Sequence, residues 1–393
     1  MDDQKSMSDG VDIAPVADFL RTRSIKRSWN IEATLPVSFI IKYSSSIFSP
    51  NNNDLLEFGQ SKRRFVAIDR AVFNIFKEEI LNFFEQQKIN CRIYQIDCSE
   101  EHKNIDTLND LLREFEEFKL LRKAEPIIAV GGGVLLDIVG FAASIYRRGV
   151  PYVRVPTTLL ALIDASVGAK TAINHFDRRN RLGTYYPPIV AYIDRKFLKT
   201  QSDREISNGL GEIFKIALIK DAELFDLLAR NATELIKERF QLGAIPVRVI
   251  NRAISSMVEE LAPNIWEDNL ERCVDFGHSF SPLIEMKSLP NLLHGEAVCL
   301  DCLFSSCIAA NRGLLTLDEL QRVFSTAQAL ELPTRQQYFR DTATLHESLV
   351  ETERHRNGNQ YLPLPCGIGS YVFCNDLSRD EIDEASKVME QMG

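Results

Sequence analysis

Two of the six histidines stand in settings that could act together: Asp275-Phe276-Gly277-His278 and Leu293-His294-Gly295-Glu296. A third, anionic group is available in Asn208-Gly209-Leu210-Gly211-Glu212-Ile213-Phe214-Lys215. There Glu212 and Lys215 lie three apart and share one face of a predicted helix. One carboxylate and two imidazoles with a fourth position open make a catalytic zinc set. A cation held this way lowers the pKa of a bound hydroxyl or polarises a carbonyl. Lys215, one turn from Glu212, could orient oxygens at such a site or relay a proton, or could form an ordinary salt bridge. Spacing leaves both readings open, because the ligands are far apart in the chain and an isolated histidine often serves as a core or surface group. His102, His175, His346 and His355 have no comparable setting, and His346 and His355 read as solvated.

A second candidate for chemistry is the run Val130-Gly131-Gly132-Gly133-Val134-Leu135-Leu136-Asp137, which falls between an apolar strand and a helix. Glycines there let backbone N–H groups approach a pyrophosphate at the positive end of the helix, although strand-to-helix turns also carry glycine for packing alone. Asp69 closes the Arg64–Ile68 strand, where a carboxylate can accept from ribose hydroxyls. It would serve equally as a helix cap. Arg70 follows at once and keeps a 2′-phosphorylated dinucleotide open.

These groups need a scaffold, and the periodicity supplies one. Val37–Tyr43, Arg64–Asp69, Cys91–Ile96 and Pro126–Val130 read as strands, alternating with helical stretches over 71–87 and 105–123. Strands so uniformly apolar, each followed by a helix, predict a parallel sheet covered on both faces, a Rossmann-like α/β domain. Beyond about residue 200 strand patterns disappear, and 203–240, 246–261, 294–312 and 317–330 show 3.6-residue apolar spacing. The expected organisation is an irregular, partly disordered extension over 1–30, an α/β dinucleotide-binding domain over 31–200 and a mostly helical metal-binding domain over 201–393.

Composition narrows the partners. At 393 residues with 45% hydrophobic content, the chain can bury two ordinary cores. A net charge of −9 argues against nucleic acid or an anionic membrane surface, so an anionic small substrate would need a local basic pocket. The start Met1-Asp2-Asp3-Gln4 is acidic, with no apolar stretch behind basic residues, so no secretory or mitochondrial leader is expected. No uncharged apolar run reaches the roughly 18 residues of a membrane helix, and the cytoplasm is the expected location. The eight cysteines are dispersed and read as buried thiols, the Cys299, Cys302, Cys307 group as helix packing.

The motifs Gly131–Asp137, Tyr146-Arg147-Arg148-Gly149, Pro156-Thr157-Thr158, Asp164–Thr171, Asn180–Gly183 and Leu293–Glu296 occur together and in order. Over about Val37 to the C-terminus the chain resembles the dehydroquinate synthase superfamily. That resemblance implies NAD in an N-terminal α/β domain, zinc (with cobalt as the alternative) in a helical C-terminal domain, a sugar-phosphate substrate between them, and a homodimer. Carried over by motif, Glu212, His278 and His294 bind the metal. Asp69, Glu100, Lys103, Gly131, Gly132, Gly133, Asp137, Thr157, Thr158, Arg179 and Thr200 contact NAD. Asp164, Lys170, Asn180 and Lys215 line the substrate site, and Arg148 reaches the phosphate across the dimer interface. Arg179 stands where relatives more often have lysine, which keeps the charge but changes its geometry.

Within the superfamily, the run Cys273–Met286 with Val167–Asn174 and Gly183–Tyr186 looks like the 2-epi-5-epi-valiolone synthases, which cyclise sedoheptulose 7-phosphate. Dehydroquinate synthases show Arg, Asn and His where Glu271, Asp275 and Pro282 stand here. Two acids would repel a substrate carboxylate and suit a neutral polyol end, unless Glu271 is simply a solvated helix residue. Cys366 is expected to replace a basic phosphate contact. The alternatives are a 2-epi-valiolone, desmethyl-4-deoxygadusol or 3-dehydroquinate synthase, or a glycerol-dehydrogenase-like metal oxidoreductase.

Overall fold

The computed structural model describes residues 29, 30, 32, 36–176 and 178–393, of which 38–393 form one compact unit. The reading of residues 1–30 falls outside it, apart from Trp29 and Asn30.

Six strands build one sheet in the order β1-β8-β5-β4-β2-β3, with every pairing parallel. They enter the chain as β1 (Ile40–Tyr43), β2 (Arg63–Asp69), α1 (Arg70–Gln86), β3 (Asn90–Ile96), α2 (Ile105–Phe118), β4 (Ile127–Gly131), α3 (Gly133–Ile145) and β5 (Tyr152–Pro156). A separate antiparallel hairpin, β6 (Lys170–His175) and β7 (Arg178–Tyr185), precedes β8 (Val190–Ile193). Period-two alternation divides the strand side chains between two cores. Phe65, Ala67, Ile127 and Ala129 pack with residues of α2 and α3, whereas Val66, Ile68, Ile128 and Val130 pack with Phe73, Ile80 and Phe83 of α1. Both faces are therefore covered, as the uniformly apolar strands require. The chain runs from β2 to β3 on one side and returns to β4 on the other, so a crevice opens between the carboxyl ends of β2 and β4, the place where open α/β sheets bind ligands.

The helical part comprises α4 (Asp203–Lys220), α5 (Ala222–Lys237), α6 (Ile245–Leu261), α7 (Ser281–Ser288), α8 (His294–Asn311), α9 (Leu317–Ala329), α10 (Thr342–His355) and α11 (Arg379–Met392). Three expectations are corrected here. The 203–240 run is two helices, because Asp221 leaves helical geometry and its side chain caps Leu224 N. The helix expected to reach 123 stops at Phe118, where Lys119 turns left-handed and Leu120 N closes onto Phe115 O. Strands do return beyond residue 200, as the antiparallel pair β9 (Leu362–Pro365) and β10 (Tyr371–Cys374). At four residues each they are too short for alternation to register.

All eight cysteines are free; Cys273, Cys299, Cys302, Cys307 and Cys374 are buried, and burial pushes the thiols of Cys299 and Cys307 well up. His355 is exposed as expected, but His346 is not solvated: its Nε2 lies 3.0 Å from Asp383. No helix among the described residues is long and apolar enough to cross a membrane.

Candidate active site

Helix α4 carries Glu212 and α8 begins at His294, and the two helices meet backbone to backbone. A Cβ on Gly295 would overlap the carbonyl oxygen of Asn208, and one on Gly211 would overlap that of Gly295. Gly295 N also donates to Asn208 Oδ1 at 2.7 Å. This contact is open only to glycine, and it brings His294 Nε2 to 3.4 Å from Glu212 Oε1. His278 arrives from the loop before α7, its Nε2 3.5 Å from the same oxygen. One ligand atom from each of the three residues lies within 4.8 Å of the others.

The donor set fits a divalent metal. Glu212 is 2% exposed, and its Oε1 has no hydrogen-bond partner, a costly state for a buried carboxylate oxygen unless a cation satisfies it. Each imidazole is oriented through its other nitrogen: His278 Nδ1 lies 3.2 Å from Phe276 O, and His294 Nδ1 lies 3.0 Å from Glu285 Oε2. Both Nε2 atoms thus face Glu212, the ring orientation typical of metal-bound histidine. The imidazole side chains keep 29% and 25% of their surface open, so a substrate can reach that side.

Charge around the set is tightly paired. Lys215, equally buried, places Nζ 2.6 Å from Glu212 Oε2. Burial lowers its pKa, but Glu212 and Asp164 outweigh that and keep it protonated. Burial also raises the Glu212 carboxyl, yet Lys215 and the imidazoles hold it well below the usual range. Burial pushes His278 down to about 4, with Lys215 acting the same way. In His294 the effect of burial is overcome by Glu285 and Glu212, which lift it to about 10. Asp164 lies on a single π turn, Ala161–Ala165, and burial with the nearby Glu212 charge raises its pKa, favouring a proton there.

The turn and the adjoining hairpin are anchored by a residue that sequence reasoning missed. Arg154, fully buried in β5, donates from Nη1 to Ala165 O and Gly168 O, both at 2.6 Å, and from Nη2 to Lys170 O at 3.2 Å. A charged residue inside the apolar run Tyr152–Val155 was the available signal. Arg154→Leu would leave three carbonyls bare. It is expected to lower unfolding free energy by about 3–5 kcal/mol in a denaturant titration, since each unsatisfied buried group costs roughly 1–3 kcal/mol. A loss below about 1 kcal/mol would contradict the anchoring role.

At the other end of the cluster the structure changes the expected picture. Glu271 is exposed, with no side-chain partner among the described residues. Asp275 is not a free acid: Arg272 grips it at 2.7 Å and Arg356 stands 3.4 Å away. Burial raises the Asp275 carboxyl, but these arginines hold it lowered. The second acid is Glu267, which pairs with Arg272 and takes Lys170 Nζ at 2.5 Å. Electrostatic repulsion between two bare acids and a carboxylate therefore does not describe this end. Cys366 is half-buried, its N–H bonded to Ser370 O.

Of the residues assigned to NAD by resemblance, Asp69, Glu100, Lys103, Gly131 and Thr157 stand at or just beyond the carboxyl ends of β2, β3, β4 and β5. Gly131 ends β4, Gly132 precedes α3 and Gly133 opens it, with no side-chain cap, which leaves first-turn N–H groups open to an anion. A Cβ on Gly132 would lie 3.2 Å from Thr158 Cγ2, so a side chain would fill the cradle. Thr157 N donates to Gly131 O at 3.0 Å. Asp69 does cap α1, its Oδ1 accepting from Ala71 N at 2.7 Å. Lys103 Nζ bridges Asp137 Oδ2 and Asn180 Oδ1, each at 2.6 Å, which places Asn180 with the cofactor group. Arg179 Nε meets Glu100 Oε1 at 3.0 Å. Thr200 is exposed and its hydroxyl returns to Phe197 O. Arg148 is exposed on a left-handed turn and has no ion pair among the described residues. These features fit a dinucleotide.

Residues 93–208 match the model of the 3-dehydroquinate synthase N-terminal domain, and 209–353 that of the C-terminal domain. The chain belongs to the 3-dehydroquinate synthase family. Among family members it is 43% identical to a 2-epi-5-epi-valiolone synthase of Streptomyces albus, over 98% of this chain and 96% of that protein. It is 35% identical to a demethyl-4-deoxygadusol synthase of Trichormus variabilis, over 91% and 89%. The solved structure of ValA, a 2-epi-5-epi-valiolone synthase from Streptomyces hygroscopicus with NAD+ and Zn2+ bound, superposes with a TM-score of 0.89 at 42% identity, covering 92% of this chain and 99% of that one.

Proposed function

We propose that the chain converts sedoheptulose 7-phosphate to 2-epi-5-epi-valiolone and phosphate, with NAD and zinc as cofactors. The observation that carries this reading is the meeting of Glu212, His278 and His294 in a chain 43% identical, over 98% of its length, to an enzyme of that name. Glu212, His278 and His294 would hold zinc, while the Gly131–Gly133 turn, Glu100, Lys103, Asp137 and Arg179 would hold NAD. When bound, zinc polarises a substrate hydroxyl and NAD takes up and returns a hydride, so the reaction has no net redox change.

The chain's own groups do the rest. Lys215, kept cationic by Glu212 and Asp164, would offer its remaining N–H bonds to a substrate oxygen beside the ligand set. Asp164, whose burial favours the protonated form, can hold and return a proton beside it. Lys170 has a side chain 58% exposed. It can swing to the departing phosphate, with Asn180 and, in a homodimer, Arg148 of a neighbouring copy. The Glu267–Arg272–Asp275–Arg356 group, which meets Lys170 through Glu267, would receive hydroxyls that remain on the substrate. In this reading residues 31–200 bind the dinucleotide, 201–393 bind the metal, and the enzyme works in the cytoplasm.

The test is incubation with sedoheptulose 7-phosphate, catalytic NAD and zinc, following phosphate, absorbance at the NADH band and the product by NMR. Phosphate release without lasting NADH, and a valiolone-type spectrum, are expected. Stoichiometric NADH from a polyol, or turnover only of the dehydroquinate precursor, would overturn the assignment.

A further inference from the structure

Two residues, Glu285 and Arg179, link the metal ligands to the dinucleotide side. Glu285 on α7 is buried, its side chain 6% exposed, and it uses its two oxygens separately. Oε2 takes His294 Nδ1 at 3.0 Å, and Oε1 is ion-paired with Arg179 Nη1. Arg179, on the β6–β7 hairpin, turns its Nε to Glu100 Oε1 at 3.0 Å. Glu100 also accepts from Asn174 Nδ2 at 2.9 Å, and Asn174 Oδ1 accepts from Asn180 N at 2.9 Å. Asn180 in turn shares Lys103 with Asp137. Ion-paired and charge-assisted contacts therefore run from His294 through Glu285 and Arg179 to Glu100 in the loop after β3, and a neutral Asn174–Asn180 bond continues the network toward Lys103 and Asp137 on α3.

We propose that Glu285 and Arg179 form a relay that makes zinc binding and dinucleotide binding mutually reinforcing. The inference rests on the reading above, in which zinc occupies the Glu212, His278, His294 set and NAD lies beside Glu100. Glu285 is a positioning residue: it fixes the His294 ring and leaves Nε2 for the metal. The backbone of α7 is already held, because Asp301 Oδ2 accepts from Ser279, Phe280 and Ser281 N–H at 2.9, 2.6 and 2.8 Å. What remains adjustable is the Glu285 carboxylate, and Arg179 sets it.

The sign follows from how Arg179 spends its donors. Nε and Nη1 are engaged, and Nη2 has no protein partner among the described residues. A dinucleotide can therefore engage the guanidinium without releasing Glu285, and by covering the hairpin it removes water from the relay and strengthens each bond in it. Reciprocity requires that zinc then tighten dinucleotide binding by the same factor. His278 lies outside this linkage, since its orienting partner is the carbonyl of Phe276 in its own loop.

The experiment measures the equilibrium partition of zinc between the full-length protein and a chromophoric chelator, with and without NAD at a concentration shown by calorimetry to saturate each variant. In the natural protein, NAD is expected to tighten zinc binding about tenfold, within the usual range of site coupling. Glu285→Gln should weaken zinc binding about 10–100-fold, as loss of an outer partner of a metal ligand does, and NAD should no longer tighten it. Arg179→Gln should abolish the NAD effect with a smaller change in NAD-free zinc affinity, and Arg179→Lys should restore part of it. A purely structural role would not move the NAD dependence, and Arg179→Gln decides the matter if Glu285→Gln does not fold. Equal zinc affinity with and without NAD in a natural protein that binds both, or an NAD effect retained in Arg179→Gln, would overturn the relay alone. A natural protein that binds no zinc or no NAD would overturn the reading of the site and the relay with it.

Discussion

His278→Ala is expected to remove turnover while leaving the molecule folded. Its imidazole is one of three groups converging on one point, and two ligands in place of three would hold a divalent cation far more weakly. Loss of a polarising cation removes several kcal/mol of transition-state stabilisation, and each 1.36 kcal/mol is tenfold in rate, so a fall of about 10³-fold or more follows. The fold should tolerate the change. His278 sits in a loop, its side chain makes one bond to a neighbouring carbonyl, and α7 is capped independently by Asp301. Phosphate release and a thermal unfolding curve, measured on the same preparation, check both halves. Full activity of the variant in metal-free buffer, or of natural protein shown by metal analysis to hold no metal, would sink the zinc assignment.

Lys215→Met is the second change with a large expected effect, and its stability cost should depend on the metal. Removing the ammonium leaves the Glu212 carboxylate, 2% exposed, without its 2.6 Å partner. An uncompensated buried charge costs about 3–5 kcal/mol. In chelator-treated protein a large part of that loss should appear, with the His294 imidazole 3.4 Å from Glu212 offsetting the rest. With zinc present the cation replaces the missing charge, and most of the stability should return. Turnover should not return, because the group that orients oxygen and exchanges protons beside Asp164 is gone; a fall of about 10²–10⁴-fold matches loss of acid–base assistance. Denaturant titrations with and without zinc, set beside phosphate release, separate the two effects. Equal destabilisation in both states would show that Lys215 acts on the fold rather than on charge at the ligand set.

Much of the scaffold was legible because it is written at short range. Arg64–Asp69 and Pro126–Val130 carry so little polarity that only strands buried on both faces accommodate them, and the three glycines after β4 mark the turn that opens α3 without a cap. Glu212 and Lys215 announce a shared helix face by their spacing of three. The pair β9 and β10 was missed because four-residue strands carry too little periodicity, and the break at Asp221 because the apolar spacing continues across it.

The site shows where local pattern ends. Residue types offered Glu212, His278 and His294 as a possible ligand set and the family resemblance assigned them to a metal, but their meeting depends on α4 and α8 touching through Gly211 and Gly295. Nothing near Glu285 in the sequence points to Arg179, 106 residues earlier by numbering, or to His294 beyond the next turn. The same holds for Glu267, which pairs with Lys170 and Arg272 while Glu271 stays exposed, and for Arg356, which with Arg272 neutralises Asp275. Backbone hydrogen bonding and apolar periodicity act over a few residues, so the sequence alone determined the layers and the chemical inventory. Which charges neutralise one another, and which nitrogen of a histidine remains for a metal, are set by side chains that packing brings together from distant segments, and only the tertiary structure decided them.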